Sequence, residues 1–172
     1  MRFLNLFLLI PIFIFAFDFN KEYKNKNFTK ICKYGISHIN QIKYNDDILS
    51  LVGFSCVKKD YLIYLPTIIN YLKTTKKGRK NSIYFSLLFI EKKLLISYML
   101  DNQSISYYRF PLINHPLSIV LTNLISGNFK KEGGIISINY KNLNYKVYKN
   151  DENKVFIDIY KDDILKESHW YR

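Results

Sequence analysis

Gly133-Gly134-Ile135-Ile136-Ser137-Ile138-Asn139-Tyr140 is the stretch at which the periodicity of this chain changes. From Ile135 onward the period is two: Ile136, Ile138 and Tyr140, then Tyr145 and Val147, then Val155, Ile157 and Ile159, then Ile164, Ser168 and Trp170. Turn-forming residues separate the runs at 142–144, 150–153 and 162–163. A period of two puts alternate side chains on opposite faces of a strand, so 133–172 predicts an antiparallel meander of three or four strands. A sheet this small is marginal alone in water and must lay one face on the preceding part of the chain. Nothing in the sequence covers the far side of the last strand. Its unpaired backbone groups can be extended by a partner, unless Lys166 and Arg172 guard that edge.

Before Gly133 the pattern is helical. Residues 117–126 form a short amphipathic run closed by Gly127, the residue type favoured just past a helix C-terminus. A long helix is expected over 81–100, with Ile83, Leu87, Ile90, Leu94 and Tyr98 on one face and Phe85, Leu88, Phe89, Leu95 and Met99 widening it. So broad an apolar surface predicts a central, buried element. Residues 74–80 read as a basic connector, and 61–73 as a helix that kinks or starts at Pro66. Residues 29–42 and 46–57 read as two helices joined at Lys43-Tyr44-Asn45, with Asn45 or Asp46 capping the second. Early helical hairpins followed by late strands make the chain α+β, with a helical part over 17–127 and the meander over 133–172 packed on it.

Cys32 and Cys56 are the two cysteines, and each lies twelve positions from Tyr44. Equal arms of an antiparallel hairpin bring the two side chains to the same height, where a disulfide is geometrically accessible. A redox-active thiol would need an activating neighbour. Here there is no Cys-x-x-Cys spacing, and His38 falls on another side of the helix from Cys32. A disulfide in turn implies an oxidising compartment.

The N-terminus agrees with that compartment. Arg2 precedes an apolar stretch over 3–15, Ala16 is a small residue at a cleavable position, and Asp18, Asn20, Lys21 and Glu22 follow. That order reads as a secretory signal peptide over 1–16, cut near Ala16, with an uncleaved anchor as the alternative. About 15 helical residues span roughly 22 Å, short of a ~30 Å hydrocarbon core. The most apolar later stretch, 83–100, carries Glu91, Lys92 and Lys93 at its centre, so the exported chain is expected to be soluble, with membrane contact peripheral at most.

The net charge of +12 points toward polyanions, but lysine rather than arginine supplies most of it and is spread along the whole chain. Asn, Ile, Tyr and Phe are also abundant, and Ala16 is the only alanine, a residue set that A- and T-rich codons encode. A solvated basic surface therefore explains the charge, and nucleic acid is not an expected partner. Lys76, Lys77, Arg79 and Lys80 are the densest basic cluster and a candidate rim for an acidic partner; Gly78 among them lacks the spacing of a phosphate loop. His38, His115 and His169 have no ligand-like spacing, so no metal or other cofactor is expected. The pairs Asp46/Asp47 and Asp162/Asp163 fall at turns, where Asp caps and bonds locally, and no small-molecule substrate follows from them. Asn27 and Asn102 each sit in a glycosylation sequon.

Fifteen tyrosines and thirteen phenylalanines are more than a core of this size uses. Tyr23, Tyr44, Tyr107, Tyr108, Tyr148, Tyr160 and Tyr171 are expected to be partly exposed, and tyrosine suits protein interfaces because it gives large contact area at low entropy cost. Tyr107, Tyr108 and Trp170 join the basic cluster as candidate interaction residues.

The runs Leu51-Val52-Gly53-Phe54-Ser55-Cys56, Leu65-Pro66, Arg79-Lys80-Asn81, Tyr84-Phe85-Ser86 and Lys92-Lys93-Leu94-Leu95 resemble small exported periplasmic proteins of the epsilon-proteobacterial lineage. Some small periplasmic proteins of these bacteria build discs around the flagellar motor, and an accessory role in such an assembly is what the resemblance implies. With no catalytic constellation in the spacings, the expectation is a non-enzymatic scaffold or accessory protein of the bacterial envelope, binding envelope proteins. The alternative is a periplasmic module for cell wall, lipopolysaccharide or nucleic acid.

Overall fold

The structure, a computed structural model, describes Phe17–Arg172; the signal-peptide expectation for 1–16 lies outside the described residues. Among the described residues, seven α-helices are followed by a five-stranded antiparallel sheet, so the α+β expectation holds. The first pair, α1 (Phe19–Lys24) and α2 (Phe28–Ser37), leads into a single turn, α3 (Ile39–Ile42). The single helix expected over 29–42 is broken at His38, whose backbone leaves the helical region and whose imidazole Nδ1 lies 3.0 Å from the Tyr34 carbonyl oxygen, its ring stacked on the Tyr34 ring.

Helix α4 (Asp46–Val57) begins where Asn45 Oδ1 accepts from the backbone N–H of Asp47 and Ile48, both at 3.1 Å. It runs back along α2, and the Cys32–Cys56 disulfide joins the two at a Cα–Cα distance of 4.9 Å. Closing that loop stabilises the hairpin by about 3.5 kcal/mol in the chain-entropy model. A structural disulfide of this kind fits an oxidising compartment.

After a 3-10 turn at Leu62–Tyr64 comes α5 (Leu65–Ile69), whose start at Leu65-Pro66 follows from proline's fixed φ and missing N–H. The 26-residue α6 (Lys76–Asp101) is the axis of the molecule, with α4 and α5 on one side and α7 (Pro116–Ile125) and the sheet on another. Gly53 of α4 makes the close crossing with α6 possible, because a Cβ there would lie 2.4 Å from the Phe85 ring.

Two expectations for α6 are corrected. Residues 76–80 are its first turn, not a connector, because Thr75 caps it through a hydroxyl that accepts from the Gly78 N–H at 2.9 Å. Its core face is Phe85, Leu88, Leu94 and Leu95, together with Glu91 and Lys92; Ile83 and Ile90, expected inside, are 64% and 43% exposed.

The sheet is a pure meander, β1 (Lys130–Glu132), β2 (Ile135–Tyr140), β3 (Leu143–Lys149), β4 (Val155–Lys161) and β5 (Ile164–Tyr171), each paired with its neighbour in sequence. Two-residue turns at Gly133-Gly134, Lys141-Asn142 and Asp162-Asp163, all at positive φ, match the twist of the flanking strands. β1 was not expected and begins before the glycine pair. Ile136, Ile138, Tyr145, Val147, Val155, Ile157 and Ile159 face inward, where α6 and α7 cover them.

In β5 the expected phase is reversed. An irregularity in the pairing at Ile159/Tyr160 shifts the register, so His169 and Tyr171 face the core while Ser168 and Trp170 face out. Tyr171, expected to be exposed, is therefore buried.

Candidate functional site

The seam between the helical part and the sheet is built around Asp60. The chain turns sharply after α4, with Tyr61 N–H donating to the Cys56 carbonyl and Asp60 at φ 58, a left-handed conformation that Asp tolerates better than most residues. The turn aims the Asp60 carboxylate at β5. His169 Nδ1 lies 2.9 Å from Oδ2, and the Tyr171 hydroxyl donates to Oδ1 at 3.1 Å. On its other side, His169 Nε2 sits 3.2 Å from a Glu167 carboxylate oxygen. Burial works against the imidazolium, but the Asp60 hydrogen bond and charge, joined by Glu167, outweigh it and raise the His169 pKa. Burial first, then the Asp60 carboxylate, pushes the Tyr171 phenol well above its ordinary value.

His115 lies behind this trio, its ring centroid 6.4 Å from that of His169. It caps α7: Nδ1 accepts from the Leu117 N–H at 3.2 Å, which places the proton of the neutral ring on Nε2. Burial, against the pull of Asp60 and with the push of His169 and Lys58, lowers its pKa to about 4. Deeper still, Glu91 of α6 is fully buried, and neither carboxylate oxygen has a hydrogen-bond partner of good geometry among the described residues. Burial raises its pKa to about 7, with Ser118 of α7 pulling slightly the other way. The arrangement can hold and exchange protons, and it ties α4, α7 and β5 together. The surface depressions have other linings: a groove of about 590 Å³ runs between α1, α4 and the first turn of α6 past Phe19, Leu51, Phe54 and Lys77, and a cleft of about 380 Å³ is lined by Leu112, Tyr140 and Tyr145. No group of three or more His, Cys, Asp or Glu side chains suited to a metal ion occurs among the described residues. No helix among them is long and apolar enough to cross a membrane.

The candidate interaction residues do not converge. Lys76, Lys77, Arg79 and Lys80 are exposed on the first turn of α6. Lys77 pairs with Asp47 at 3.2 Å, and Arg79 donates to the backbone carbonyls of Lys73 and Thr74. Four cations at a helix N-terminus oppose its dipole, and the buried Asp46 carboxylate beside that terminus offsets them. Asp46 Oδ2 accepts from both the N–H and the hydroxyl of Thr75, at 2.6 and 2.9 Å. Tyr107 and Tyr108 pack with tilted rings just past the other end of α6, and a 26-residue helix is about 39 Å long, so basic cluster and tyrosine pair cannot serve one small ligand.

Trp170 stands on the outer face of the sheet in one transverse row with Phe156 and Tyr148, with Lys154 Nζ 5.2 Å from its ring centre. Phe156 and Tyr148 are parallel with centroids 5.2 Å apart, the offset-stacked arrangement that ring quadrupoles favour. Below the row, Asp158 accepts from the Tyr148 and Ser168 hydroxyls at 2.9 and 2.6 Å. Burial and Asp158 push the Tyr148 pKa up to about 12.

The sequence spacing hid the seam because Asp60 and His169 are 109 positions apart. One local signal was there to read: His115 directly before Pro116 stands where an N-cap belongs. No family model, curated protein or solved structure matches the chain.

Proposed function

We propose that this chain is an exported, non-enzymatic scaffold or accessory protein of a bacterial envelope assembly, working in the periplasm and bound to other envelope proteins. The observation that carries the reading is a pair of separate uncovered apolar surfaces: the Ile83/Ile90 stripe on α6, and Ile164, Leu165 and Trp170 on β5. A bridging protein needs two contact surfaces, and exposed apolar side chains gathered on one face mark contact surfaces. The disulfide supports export, since such bonds persist in oxidising compartments. The resemblance to epsilon-proteobacterial exported proteins makes a flagellar-motor disc the first assembly to test.

The polyanion alternative draws on Lys76, Lys77, Arg79 and Lys80, but two of these four are already engaged within the chain. The experiment is photo-cross-linking in native envelopes from a reactive residue placed at Ile83, with the exposed Thr67 of α5 as the control. Capture of components of one envelope machine from position 83, and not from 67, supports the scaffold. Capture of nothing above the control, together with salt-sensitive retention on lipopolysaccharide or cell wall, transfers the function to the polyanion reading.

A further inference from the structure

The two edges of the sheet are built differently. β1 is three residues long, and all three, Lys130, Lys131 and Glu132, are charged and exposed, which protects an edge from pairing. β5 is eight residues long, pairs only with β4 among the described residues, and exposes Ile164, Leu165 and Trp170. Such a strand is a template for an added strand.

The side chains of β5 select which strand. Two copies related by a two-fold axis perpendicular to the sheet pair antiparallel, and opposed residues must lie on the same face, so each register centres on one residue. Centred on Glu167, the register opposes two carboxylates. Centred on His169, it opposes two histidines. Like charges directly opposed destabilise a ladder. Centred on Ser168, the clashes vanish. Glu167 meets His169 of the other copy on the inner face, twice, so the contact that these two residues make within each chain grows into a four-member cluster of alternating charge. Lys166 is the extra residue of the bulge between Leu165 and Glu167 and takes no place in this register.

We infer that β5 is the self-association edge of this protein: a second copy adds antiparallel about Ser168, joining two five-stranded meanders into one ten-stranded sheet. The inference rests on the scaffold reading in that the β5 surface serves the second copy and the α6 stripe is left for the other envelope proteins. An edge-to-edge contact alone buries less than the roughly 1,200–2,000 Å² of a standard stable interface, so the dimer is weak and forms with rising concentration. Its register is nonetheless fixed, because one step in either direction restores a like-charge clash.

The test uses the exported chain with Cys32–Cys56 closed. Ser168→Cys places two thiols opposite each other at a Cα–Cα distance of about 4.5–5.5 Å, within reach of a disulfide. The expected result is a covalent dimer on mild oxidation, at least tenfold faster than from Glu167→Cys or from Lys149→Cys on β3. Because Ser168 also bonds Asp158, sedimentation of the unaltered chain is the second measurement: association rises with concentration and is weakened at least tenfold by Glu167→Lys, which sets a lysine against the partner's His169. Faster cross-linking at Glu167→Cys, equal rates at all three positions, or a monomer at every concentration overturns the inference. The scaffold reading is judged separately by cross-linking from position 83. Capture there from a monomeric chain leaves the scaffold standing and removes the self-association, while a dimer that captures nothing at 83 does the reverse.

Discussion

Glu91 is where a single side chain sets how stability responds to pH. Its folded pKa of about 7 lies above the ordinary 4.5, so the stability linked to it is whole below about pH 4.5 and is lost as pH rises through 7. His115 has the opposite sign: its folded pKa of about 4 lies below 6.5, so its share is present above pH 6.5 and is lost as pH falls through 4. His169, raised above 6.5, contributes fully below that value and loses its share above. Between about pH 4.5 and 6.5 the first two oppose each other, so denaturation midpoints should be nearly flat there and fall on the alkaline side. Glu91→Met keeps the volume and removes the buried charge. The variant should gain about 2–3 kcal/mol more at pH 8 than at pH 5, read from urea titrations at the two values. An equal gain at both would show that Glu91 is ionised in the fold throughout. None of these three groups was legible as a site, because burial and long-range partners give them their behaviour, and neither is written in local spacing. Cys32 and Cys56 were legible because a symmetric hairpin converts sequence distance directly into height.

Elements were read well where their signals are local. α4 carries its own cap in Asn45, and α7 is bounded by Pro116 and Gly127, so both were found within a residue. The start of α6 was missed because what fixes it is 29 positions away. Lys76-Lys77-Gly78-Arg79-Lys80 looks like a linker until Asp46 is seen holding Thr75. Gly78 is the test of that contact. A Cβ there would lie 2.1 Å from Asp46 Oδ2. Helix propensity alone favours Gly78→Ala by about 1 kcal/mol. The clash and the loss of the Asp46–Thr75 bonds should instead make it destabilising by about 1–3 kcal/mol in thermal or urea unfolding. In an Asp46→Ala background the same substitution should turn neutral or stabilising. β5 shows the other kind of miss: its type was legible, but one irregularity at Ile159/Tyr160 inverted which side chains face inward, and a period of two has no defence against a one-residue slip.

At the scale of the whole molecule the α+β order was legible because the hydrophobic period changes once and does not change back. How the two parts meet was not, since Asp60, His115 and Tyr171 come from three regions that no periodicity connects. The disulfide has a mechanical side as well. It joins positions 24 apart, and an extended chain spans about 3.4 Å per residue, so roughly 80 Å of contour is shut off from any tension applied through the ends of the protein. Pulled in single-molecule force spectroscopy, the oxidised chain should lengthen by about that much less than the reduced one. Under load the oxidised chain is thus the shorter rope, and the α2–α4 hairpin is a knot in it that slackens only when the disulfide is reduced.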